Sequence, residues 1–150
     1  MGPDGMSSWA QAYDTKDFEV VLHQVRNPLP VIASCTTFLE STWDIALSRE
    51  PRIAKTDSLI LRGMKYWLYW NRHAESVAKM TYRVEAIPLD RIMRLLGRPY
   101  DGAFPDVPKD KNTRRGRLAY PEVTVDVLRA TDSLLAEKIL AQARRYGYAY

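Results

Sequence analysis

The chain has a single cysteine, Cys35, and two histidines, His23 and His73. No disulfide closes within it, and two scattered imidazoles with one thiol give no zinc-like spacing. Long apolar runs are missing as well, since nothing approaches the roughly 20 residues that span a bilayer. The opening MGPDGMSSW has neither a basic n-region nor an apolar h-region, so no signal peptide is expected and the setting is read as cytoplasmic. Glycine is scarce, at seven residues, and only Gly97 and Gly102 stand at phosphate-loop separation. Ala103 and Phe104 follow where such a loop requires Lys and then Ser or Thr, so that pair is not a P-loop.

What is present reads as one ordinary globular domain over residues 1–150, with 46% apolar and 27% charged residues. Residues 1–16 look like an irregular leader or loop. The net charge is +4, and its location matters more than its size. The segment Lys109–Arg117 holds five bases and one acid, +4 by itself, so the remainder balances. Charge gathered in one loop points to a phosphorylated ligand or a polyanion. Nucleic acid is the less favoured of these, because no aromatic residues are interleaved with the bases to stack on nucleobases.

The most informative stretch is Phe18–Phe38. The run Val20–Val25 is apolar and partly β-branched, the length of one buried strand. Asn27-Pro28 then signals a helix start: the Asn side chain accepts an orphan backbone N–H, and Pro at the first helical position gives up a donor that has no partner there. The helix carries Val31, Ile32, Cys35 and Leu39 on one stripe, which makes Cys35 a small core residue. Arg26 therefore ends a strand at the mouth of a helix, where open α/β sheets receive ligands, and Ser34 follows eight residues on.

Downstream, residues 40–56 are polar, contain Pro51 and read as an exposed excursion, with Trp43 and Ile45 folding back over something. Asp57 is expected to cap a long helix to about Met80. One of its faces carries Ile60, Met64, Trp67, Leu68, Asn71, Ala74 and Ala78; the other carries Tyr66, Tyr69, Trp70, His73 and Val77. Apolar residues on two faces mean packing on two sides, and His73 reads as a packing histidine. Residues 81–87 alternate as a strand, residues 88–96 form a short helix stopped by Gly97, and 98–120 is a long loop containing the basic segment. A last helix runs from Thr131 or Asp132 to about Tyr146, with Leu134, Leu135, Ile139, Leu140 and Ala143 inward.

Arg26-Asn-Pro-x-x-x-x-x-Ser34 resembles the 3′-phosphate motif of the PAPS-dependent sulfotransferases in residue type, spacing and strand-to-helix context. Several further segments are similar to that family. They are Asp4-Gly5-x-x-Ser8-Trp9, Trp67-x-x-Trp70-Asn71, Arg83-x-Glu85, Arg114-Arg115-Gly116 and the ending Arg145-Tyr146-Gly147-Tyr148. Two departures stand out: Val84 lies where a nucleotide-contacting Tyr is frequent, and no Gly-Asp-Trp follows Gly116. The resemblance implies an α/β, three-layer P-loop-sulfotransferase-like fold with few parallel strands and at least four helices, and PAPS or PAP as cofactor. It implies that Arg26, Ser34, Arg114, Arg115 and Gly116 gather around the 3′-phosphate at the carboxyl end of the Phe18–Val25 strand. The family transfers a sulfuryl group from PAPS to a hydroxyl or amine.

The family's loop for the 5′-phosphosulfate has no counterpart in this sequence, so the chain is expected to begin inside a longer domain and to be inactive alone. No catalytic base is assigned: His23 falls on the strand face opposite Arg26, and Glu40, Asp44 and Glu85 have no supporting pattern. No metal is expected. An unpaired sheet edge left by an absent first strand leads to an expectation of self-association. The alternative is a non-enzymatic scaffold or assembly module, of phage or mobile-element type, built on the same fold.

Overall fold

A computed structural model describes residues 18–102 and 121–150. Among these, the chain is mixed α/β, with two parallel strands and six helices. Strand β1 (Leu22–Val25) pairs in parallel with β2 (Met80–Arg83), Leu22 opposite Met80 and Val25 opposite Arg83. Both are shorter than the sequence suggests. β1 loses Phe18–Val21 from the expected strand, and β2 stops at Arg83 because the Ala86 N–H turns back to the Arg83 carbonyl.

Helix α1 (Pro28–Cys35) starts as expected, the Asn27 side chain accepting from the Leu29 N–H at 3.0 Å. It ends at Cys35, so Leu39 is outside the stripe and 73% exposed. The expected polar excursion is in fact helix α2 (Glu40–Arg49), which buries Trp43 and Ala46 one turn apart. Those two positions suffice because Trp43 packs on Phe38 and Tyr66, at ring-centroid distances of 5.5 and 6.2 Å. Pro51 forces Glu50 out of the helical region, at φ −128° and ψ 92°, and the helix stops there.

Helix α3 (Leu59–Val77) is the axis of the molecule. Ser58 caps it, whereas the Asp57 carboxylate accepts from the Ala54 N–H and from Lys65 Nζ, both at 2.7 Å. Met64, Trp67 and Leu68 are buried between α1 on one side and the two C-terminal helices on the other, as apolar residues on two faces require. Gly63 lets α1 approach: a Cβ there would stand 3.2 Å from the Ile32 carbonyl and Cγ2 and 3.3 Å from Cys35 Cβ. His73, expected to pack inward, is exposed towards the C-terminal end of α3.

Helix α4 (Leu89–Leu95) ends at Gly97, whose φ of 63° is the left-handed C-terminal geometry. Helix α5 (Val125–Thr131), which the periodicity left unassigned, is capped by Thr124 and buries Leu128. Asp132 breaks the chain with extended backbone and caps α6 (Ser133–Arg145), accepting from the Leu135 N–H at 2.9 Å. Leu135, Ile139, Leu140 and Ala143 face inward, but Leu134 points out at 69% exposure, being a third of a turn off that stripe.

Candidate functional site

The carboxyl end of β1 leads into α1 across three residues, Val25, Arg26 and Asn27. An aromatic side chain distant in sequence reaches each of them, and two of the three donate a hydrogen bond there. Trp67 on α3 donates its indole N–H to the Arg26 carbonyl at 3.0 Å. The Tyr148 hydroxyl lies 2.8 Å from Glu85 Oε2 and 3.3 Å from the Val25 carbonyl, its one proton serving the carboxylate first. Tyr150 donates its hydroxyl to Asn27 Oδ1 at 2.5 Å, the same oxygen that caps α1.

The tail reaches these positions by a Schellman turn. At the end of α6, Gly147 has φ 86°, and the Tyr148 N–H returns to the Ala143 carbonyl at 3.0 Å. Arg83 at the end of β2 then donates to the Gly147 carbonyl at 2.8 Å and lies over the Tyr148 ring, 5.6 Å from its centroid. Burial, with the Glu85 carboxylate next in effect, pushes the Tyr148 phenol upward from its ordinary value, so it stays protonated and donating at neutral pH. The Arg83, Glu85 and Gly147-Tyr148 segments, separate in sequence, thus meet at one place.

Arg26 itself is exposed, and among the described residues its guanidinium makes no hydrogen bond or ion pair. Ser34 sits half-buried in the last turn of α1, its hydroxyl likewise without a hydrogen bond among those residues. Seven residues separate Asn27 from Ser34, nearly two turns, so both lie on one side of α1, about 10 Å apart along its axis. Ser34 thus lies on the Asn27 side of α1, and Arg26 precedes the helix at its mouth. Arg114, Arg115 and Gly116 lie outside the described residues.

The start of α1 differs from an ordinary anion cradle. Pro28 and Pro30 carry no N–H, and the Leu29 N–H already serves Asn27. The backbone donors that a phosphate would use at a helix N-terminus are absent or taken. An anion at this end of α1 would depend on side-chain donors, and the exposed Arg26 guanidinium is one.

On the opposite face of β1, His23 is buried. Its Nε2 is 2.9 Å from Asn71 Oδ1, while the Asn71 amide nitrogen donates to the Trp67 carbonyl. Because Oδ1 can only accept, Nε2 carries the proton, and Nδ1 accepts from the Thr81 hydroxyl at 3.1 Å. Desolvation lowers the His23 pKa against the opposing pull of Asn71, so the ring is neutral at pH 7. It is a core histidine that ties β1, α3 and β2 together. Trp67 and Asn71, one turn apart on α3, both bond to β1 and its end, Asn71 at His23 and Trp67 at the Arg26 carbonyl. Cys35 is equally structural: fully buried, its thiol is pushed up to about 12. Among the described residues no cluster of His, Cys, Asp and Glu could hold a metal, and no helix is long and apolar enough to cross a membrane.

Sequence reasoning missed Tyr148 and Tyr150 as parts of this site. Their signal is the alternation Tyr146, Tyr148, Tyr150 around a glycine, of which Arg145-Tyr146-Gly147-Tyr148 reads in the sequence only as a family-like helix end and tail. No protein-family model, no curated protein and no solved structure matches the chain.

Proposed function

We propose that the chain binds a 3′-phosphorylated adenine nucleotide of the PAPS or PAP type at the carboxyl end of β1, as the sulfotransferase-like part of a sulfuryl-transfer enzyme. The observation that carries this reading is an Arg26 guanidinium at the mouth of α1 and a Ser34 hydroxyl in its last turn, neither with a hydrogen-bond partner among the described residues. A planar guanidinium takes two phosphate oxygens at once, and a hydroxyl a third, which suits a monoester phosphate better than a carboxylate. The expected contribution of Arg114, Arg115 and Gly116 adds positive charge from the segment that holds the chain's whole net excess. The acceptor would be a hydroxyl or an amine, and no residue of this chain is assigned as its base.

Calorimetry with adenosine 3′,5′-bisphosphate beside adenosine 5′-phosphate tests the reading. Binding of the first and markedly weaker binding of the second supports it; equal affinity removes the 3′-phosphate from the account. A non-enzymatic scaffold is the second reading, favoured by the hydrogen bonds that tie His23, Asn71, Trp67, Glu85 and the tyrosine tail to one another. Absence of any nucleotide binding would favour it.

A further inference from the structure

We propose that Tyr148 and Tyr150 are positioning residues of the site: the C-terminal tail braces both sides of Arg26, Tyr148 through Glu85 beside the end of β1 and Tyr150 through the Asn27 side chain, so that the guanidinium is presented on a fixed base. This rests on the reading of Arg26 as a phosphate contact. Trp67 holds the Arg26 carbonyl and Tyr150 the Asn27 side chain, while the Tyr148 hydroxyl, bonded to Glu85, lies 3.3 Å from the Val25 carbonyl; these contacts come from two elements far away in sequence. Only the guanidinium is left unengaged among the described residues.

The arrangement is more than packing. Trp67 belongs to the core and would be buried in any case, but Tyr150 is 37% exposed and adds little apolar burial. Its hydroxyl instead reaches Asn27 Oδ1, the atom that decides where α1 begins. Tyr148 is held in turn by Arg83 above its ring and by Glu85 at its hydroxyl, so the clamp also joins the ends of β1 and β2. A free Arg loses side-chain and backbone freedom when it grips a phosphate. A base already fixed lowers that loss, the general effect of preorganisation.

The experiment uses Tyr148→Phe, Tyr150→Phe and their combination, each alone and with Arg26→Ala, in the full chain. Phe keeps ring and burial and removes only the hydroxyl. Two readouts are taken: affinity for adenosine 3′,5′-bisphosphate, and backbone amide order parameters of residues 25–27 compared with α6. Each hydroxyl is expected to be worth about fivefold in affinity, a single neutral hydrogen bond. That loss should vanish in the Arg26→Ala background, and order should fall at residues 25–27 while α6 is unchanged. Losses that persist with Arg26→Ala, or unchanged affinity and order, overturn the clamp. Order lost at residues 25–27 with no nucleotide bound by any of the proteins upholds the clamp and removes the nucleotide reading instead. If no protein binds and order is unchanged, both fall.

Discussion

Lowering the pH should destabilise the fold through one residue, His23, before the carboxylates begin to titrate. The imidazole is neutral in the folded chain, Nε2 donating to Asn71 and Nδ1 accepting from Thr81. Its pKa is depressed by burial from the ordinary 6.5. The sign follows from proton linkage: below 6.5 the unfolded chain takes up a proton that the folded chain refuses, so stability is full above that pH and falls as pH drops toward the folded value. One proton gives a slope of at most about 1.4 kcal/mol per pH unit. Protonated Nδ1 would also meet the Thr81 hydroxyl as a second donor, so Thr81 would have to turn its proton elsewhere. Urea unfolding at half-unit steps from pH 8 to 5.5 measures the slope, and His23→Gln removes it. His73, the other histidine, is exposed, so His73→Gln serves as the control. A wild-type stability flat across that range, or a slope kept in His23→Gln and lost in His73→Gln, would refute the reasoning.

Gly63→Val should cost about 1–3 kcal/mol in urea unfolding, because the added atoms meet the Ile32 backbone and Cys35 across the α1–α3 contact; unchanged stability would mean those helices separate at no cost. Asp132→Ala removes the oxygen that caps α6 and should lower stability by about 1 kcal/mol, with Asp132→Asn recovering most of it. Native Cys35 should resist a thiol reagent at pH 8 and react fully in denaturant; rapid labelling of the folded chain would contradict its burial. Radiolabelled PAPS should be bound without sulfuryl transfer by these 150 residues alone, and turnover would contradict the account of the 5′ loop.

The features legible in the sequence are those decided locally. Asn27-Pro28 sets the start of α1, Gly97 the end of α4 and Asp132 the start of α6, each by the conformation or hydrogen-bond capacity of one or two residues. Helix α2 was hidden because Trp43, Ile45, Ala46 and Leu47 fall in a short segment that is otherwise polar, and Pro51 marks only its end. Helix α5 has seven residues, too few for a period to declare itself. Of the proposed site, the strand-to-helix placement of Arg26 was readable from Asn27-Pro28, and the buried place of His23 from its position opposite Arg26. The clamp was not, because Tyr150 meets Asn27 across 123 residues and only the Schellman turn at Gly147 aims it there. Pro30, which carries no sequence signal of its own, removes a further backbone donor from the start of α1.

The measurement closest to the central claim is a calorimetric titration of adenosine 3′,5′-bisphosphate into the wild type, Arg26→Ala, Ser34→Ala and, as a control, Arg129→Ala. Arg129 pairs with Glu137 across the α5–α6 hairpin and has no role at the carboxyl end of β1. A charge-assisted contact is worth about 1.5–3 kcal/mol, roughly tenfold to a hundredfold in affinity. The account predicts that loss for Arg26→Ala, a smaller one for Ser34→Ala and none for Arg129→Ala. Arg26→Ala binding as tightly as wild type, or losing no more than Arg129→Ala, would contradict it.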